Sequence, residues 1–206
     1  MIGLCCLLFI ASLLVLVLLF FLVGFFFSKT PRENFGEFDR TGLKTGDVLL
    51  LSGKTFPERI ICFLTNCEFS HCAMVVKKEG KLWLWEADIG QGKKKGPRLI
   101  EFDQKLKRYK GYRTAAIVRI DKELAISEFL KGAEKHFNRP MDDAMFSYFF
   151  GRNKKDDSVF CSELVASTLK DSGKIKRDRE TCKGVSPSLF LKGFEGIYGR
   201  PEYFSW

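Results

Sequence analysis

No Asp, Glu, Lys, Arg or His occurs before Ser28, so all 34 basic and 25 acidic residues of this 206-residue chain follow it. That absence excludes a plain cytosolic enzyme, and its confinement to one run excludes a multi-span transporter. Histidine is almost missing, with only His71 and His136. No Cys-x-x-Cys pair occurs, so Cys62, Cys67, His71 and Cys72 make a poor zinc set. Asn-x-Ser/Thr acceptors are also missing. The cysteines beyond the first run (Cys62, Cys67, Cys72, Cys161 and Cys182) are odd in number and lack the spacing of a disulfide framework. What is present is aromatic: 21 Phe and 3 Trp are too many to leave in water, which excludes a disordered chain. The charged remainder is long enough to bury a core.

The apolar run covers residues 2–27. As a helix it would reach about 39 Å at ~1.5 Å per residue, more than the ~30 Å of bilayer hydrocarbon. A cleaved signal peptide would need a basic start, a shorter run and a small-residue cleavage site, whereas this run ends in Phe25-Phe26-Phe27. The organisation expected is a transmembrane anchor at 1–28, a linker at 29–43 and one domain at 44–206. Lys29, Arg32, Arg40 and Lys44 follow the run and nothing charged but the α-amino group precedes it, which places the domain in the cytosol. A net charge of +9, densest at Lys93–Lys95 and Lys174–Arg179, suits contact with anionic lipid head groups, with solvated loops as the plainer reading. The stretch from Gly90 to Gly96 lacks the Lys-Ser/Thr ending of a phosphate loop, and neither nucleotide nor nucleic acid is expected as a partner.

Within the domain, strands are expected at 48–51, 72–76, 82–87, 98–102 and 114–120. Helices are expected at 57–64, from about 122 to before Pro140, and from about 160 to 173. This is an α+β domain with a small, mostly antiparallel sheet. Cys161 falls in the first turn of the last helix, where unpaired N–H groups and the helix dipole favour a thiolate. His71 opens a strand. If Lys78 pairs with Lys81 across Glu79-Gly80, opposed residues sum to a constant, so that His71 faces Asp88 with Glu86 its diagonal neighbour. A register shifted by two makes Glu86 the direct partner, and an intermediate one turns both acids away. His136 sits late in an amphipathic helix, where a cation suits the carbonyl end of the dipole.

Gly46-Asp47-Val-Leu-Leu, Phe69-Ser-His71-Cys-Ala-Met-Val-Val, Leu84-Trp-Glu86-Ala and Val159-Phe-Cys161-Ser-Glu-Leu-Val together resemble the circularly permuted NlpC/P60 proteins. These are papain-like thiol hydrolases of bacteria and large DNA viruses in which the histidine strand precedes the cysteine helix. The resemblance covers roughly residues 44 to 192. It implies Cys161 as nucleophile, His71 as general base and Glu86 as the acid that orients the imidazole, with Asp47 structural and no metal or cofactor. The activity it implies is hydrolysis of an amide bond; the apolar run lies outside the resemblance, and with it the expectation is a membrane-anchored enzyme. The alternatives are a lipid-directed acyl hydrolase or acyltransferase at the bilayer, and a non-catalytic interaction module of a membrane or, for a viral chain, a virion.

Overall fold

Runs of β-branched and aliphatic residues without polar alternation need cover on both faces. Val48–Ser52 (β1) is such a run and is buried throughout. The computed structural model describes residues 2–27, 39–53, 55–88, 96–108, 114–140, 159–176, 182 and 184–204. After a first helix, α1 (Ile2–Phe27), and β1, the chain forms α2 (Phe56–Leu64), β2 (His71–Lys78), β3 (Lys81–Asp88) and β4 (Gly96–Glu101). It continues with α3 (Phe102–Arg108), β5 (Thr114–Ile120), α4 (Ile126–Glu134), α5 (Cys161–Asp171), α6 (Pro187–Leu191) and β6 (Tyr198–Phe204). The six strands form one antiparallel sheet in the order β4-β3-β2-β1-β5-β6.

Strand alternation divides the core in two. Val48, Leu50, Cys72, Met74 and Trp85 face α4 and α5 and share a cluster with Phe129, Leu164 and Val165. Leu49, Leu51, Ala73, Val75 and Leu84 point the other way and pack with Phe102 of α3. The β2–β3 turn adopts left-handed conformations at Glu79 (φ 53°) and Gly80 (φ 72°), as a two-residue hairpin requires. Lys78 therefore pairs with Lys81 and Met74 with Trp85, which is the first of the registers considered above. Ahead of β1, buried Asp47 accepts from the N–H groups of Ile120 and Lys44, both at 2.9 Å, and closes the turn as the resemblance implies.

The α+β expectation holds, but the sheet is larger than expected. β6 reads poorly as a strand because Gly199 and Pro201 interrupt it. At a sheet edge both are tolerated, and β6 pairs with β5 there. α3 continues directly from β4. At the end of the expected linker, Leu43 is buried and Arg40 pairs with Asp103 of α3. Residues 28–38, Lys93–Lys95, Lys154–Asp157 and 177–180 lie outside the described residues.

α1 is one continuous helix without charge at either end. Its described side chains (Cys6, residues 9–20 and Leu22) are exposed. Among the described residues no helix is long and apolar enough to cross a membrane. The helix is thus a structural finding. Its insertion in a bilayer is not, and the transmembrane expectation rests on sequence alone.

Candidate active site

The position of Cys161 is set by how α5 begins. Phe160 is extended (φ −84°, ψ 166°), and the N–H it leaves outside the helix donates to Glu163 Oε2 at 3.1 Å. Glu163 Oε1 accepts from the Gly184 N–H at 2.8 Å, and the Ser162 hydroxyl donates to the Val185 carbonyl. The first turn is therefore held from both sides. One turn further on, Trp85 Nε1 donates to Thr168 Oγ1 at 2.9 Å, and that hydroxyl donates to the Leu164 carbonyl at 2.8 Å. This locks the rotation of α5 against β3.

His71 is the first residue of β2, opposite Leu51 of β1. Its Nε2 lies 2.9 Å from Glu86 Oε2. The register continued from Lys78–Lys81 makes Glu86 its diagonal neighbour, and an imidazole spans that diagonal. The side chain of Asp88, the other candidate, lies outside the described residues. Glu86 is fully buried and faces Arg98 across β3–β4. Arg98 donates from Nη2 at 3.1 Å and Nε at 3.3 Å to Oε1. Lys105 of α3, itself fully buried, pairs with Oε2. A carboxylate withdrawn from water is costly unless paired, and here two cations hold it beside the imidazole.

His71 and Glu86 belong to the α3 face of the sheet by strand alternation, whereas Cys161 and Cys72 belong to the α5 face. Thiol and imidazole interact because each is the terminal residue of its element, and they reach each other around the end of the sheet. The Cys161 thiol lies well below the ordinary range. A hydrogen bond from the Cys72 thiol lowers it most; burial opposes this, and the His71 charge then adds to the lowering. Burial pulls His71 down, but the Cys161 charge and hydrogen bond and the Glu86 hydrogen bond outweigh burial and Lys105 and hold it well above its usual value. Cys72 is driven up by burial and then by Cys161, so it remains a thiol able to donate. Both shifts favour a thiolate beside an imidazolium.

The structure brings Cys161, His71 and Glu86 together. It adds Cys72, Lys105 and Arg98, which sequence reasoning missed. Cys72 had a signal, as the residue after His71 in a strand must face the other side. Lys105 had none, being one lysine among many until α3 folds over the sheet. His136 is buried and serves elsewhere: its Nε2 meets Asp171 at 3.1 Å, and Arg139 Nη1 lies 3.0 Å from its Nδ1. Asp171 ends α5, about 15 Å along the helix from Cys161. Among the described residues no group of three or more His, Cys, Asp or Glu could hold a metal ion.

Residues 42–186 match the family model of the permuted papain-like amidase enzymes YaeF/YiiX. A solved structure, described as that of the metalloprotein YiiX from Escherichia coli, superposes with a TM-score of 0.54 at 16% identity, over 79% of this chain and 96% of that one. At that identity the likeness concerns the fold. No curated protein matches the chain. The viral origin considered above gains no support from these relatives.

Proposed function

The chain belongs to the permuted papain-like amidase family, a family of papain-like cysteine hydrolases, and on that premise we propose that it cleaves an amide bond with Cys161, His71 and Glu86 as its triad. The observation that carries the proposal is the His71 imidazole held 2.9 Å from a buried, cation-paired Glu86, beside a Cys161 thiol whose downward shift, with the upward shift of His71, favours a thiolate–imidazolium pair. Glu86 occupies Nε2, which leaves Nδ1 to face the sulfur. The thiolate attacks the carbonyl carbon, and the oxyanion formed is received by the Cys161 backbone N–H at the start of α5. Imidazolium gives its proton to the leaving nitrogen as the C–N bond breaks, leaving a thioester and neutral His71. His71 then takes a proton from water, hydroxide displaces the sulfur, and the acid and the thiolate–imidazolium pair are restored.

We further propose that residues 1–28 anchor the enzyme in a bilayer and 29–43 lead to a cytosolic domain at 44–206. Support comes from the sequence, in the uncharged apolar run at residues 2–27 and the basic residues that follow it. Cys161→Ala should abolish turnover of amide substrates while leaving the circular dichroism and melting curve unchanged. Full activity in that variant would remove Cys161 from the mechanism.

A further inference from the structure

α2 is apolar where a domain helix would be buried, yet none of its described side chains is. Ile60, Ile61 and Phe63 are half-buried and Leu64 is 42% exposed. At 3.6 residues per turn these four fall within roughly 160° of arc, with Cys62 and Glu58 opposite and Arg59 beyond one rim. α1 touches this helix: the rings of Phe20 and Phe63 meet edge to face at 5.3 Å. Phe20 lies seven residues before the end of α1, about 10 Å along its axis. That matches the ~5–10 Å to which amphipathic helices enter the head-group and acyl boundary. The connection carrying α2 is also fastened at the catalytic end of the sheet. Ser70 N–H donates to the Leu51 carbonyl at 3.0 Å and Gly53 N–H to Ser70 Oγ at 3.1 Å, both beside His71.

We infer that α2 is an interfacial helix, laying Ile60, Phe63 and Leu64 into the bilayer that holds α1 and turning the His71–Cys161 end of the sheet toward the membrane surface. The inference rests on the anchored reading above. The substrate presented to such a site is an amide carried by an amphiphile resident in the membrane. α4 provides the contrast: its Ile126 and Leu130 are also exposed, but among the described residues α1 packs on α2 and not comparably on α4.

The test uses the full chain in vesicles of phosphatidylcholine with a minority of phosphatidylglycerol. A diazirine-bearing residue replaces Leu64 in one preparation and Leu130 in another, and adducts are identified by mass spectrometry after irradiation. Alkylation of Cys161 by iodoacetamide confirms that each preparation is folded. Lipid adducts several-fold more frequent at Leu64 than at Leu130 are expected. Equal lipid labelling, in a chain that resists alkaline carbonate extraction, overturns the role of α2 and leaves the anchor intact. Adducts at Leu64 to a second copy of the chain instead of lipid overturn it as well. Extraction of the chain by carbonate overturns the anchor and this inference together.

Discussion

Cys161 and His71 shift in opposite directions, and the consequences can be followed with pH. A thiol held low stays thiolate as pH falls, until its lowered pKa is reached. An imidazole held high stays charged as pH rises, until its raised pKa is passed. The competent ion pair therefore exists between the two, and alkylation of Cys161 should persist well below the ~8.5 of a free thiol. Cys72→Ala and His71→Ala should each move the acid limb of that profile upward, because the Cys72 hydrogen bond is the largest single lowering influence and the His71 charge and hydrogen bond add to it. Cys72→Ser, which keeps a donor, should restore most of the shift. Lys105 pulls His71 down, so Lys105→Met should carry the basic limb to higher pH. The same change breaks a buried ion pair and should cost about 3–5 kcal/mol in urea unfolding, nearer the lower figure because Arg98 still pairs with Glu86.

Between elements, the tightest junction is that of α4 and α5. A Cβ at Gly132 would lie 2.5 Å from the Thr168 carbonyl oxygen, which is backbone and cannot swing aside. Gly132→Ala gains up to ~1 kcal/mol of helix propensity and meets an overpacking cost of ~1–3 kcal/mol. Separation of α5 from α4 should win, lowering the melting temperature and loosening the Thr168–Trp85 bond that sets α5. The elements most legible in the sequence were those whose apolar residues repeat without interruption: β1, β2, β3, β5 and α5 lie within a residue or two of expectation. β6 was not legible because its Gly and Pro are acceptable only to an edge, and which strand is an edge is settled by the whole sheet. In the site, Cys161 and His71 stood out as a thiol in a helix's first turn and an imidazole at a strand's start, whereas hairpin parity left Glu86 and Asp88 open and only the resemblance chose Glu86. Lys105 and Arg98 were not, since the need for a counter-charge appears only once Glu86 is known to be buried.

The whole molecule is closed by its last strand. Tyr198 donates its hydroxyl to the Gly46 carbonyl at 2.9 Å, and Phe204 is buried beside Ala115. Truncation after Ile197 should remove cooperative thermal unfolding altogether, because losing two buried aromatics costs ~3–5 kcal/mol each against a typical total of ~5–15 kcal/mol. Residual cooperative melting at the wild-type temperature would show β6 to be dispensable. The order in which the chain lays down its site has a temporal consequence. His71 and Glu86 leave the ribosome together, whereas Cys161 follows 75 residues after Glu86, roughly 4–15 s later at ~5–20 residues per second. The loop contacts of Gly184 and Val185 that fasten its helix come later still. A nascent chain is therefore chemically silent until the segment that follows Cys161 has been made. Pulse-alkylation of stalled ribosomal complexes should find Cys161 at ordinary thiol reactivity until β6 has emerged.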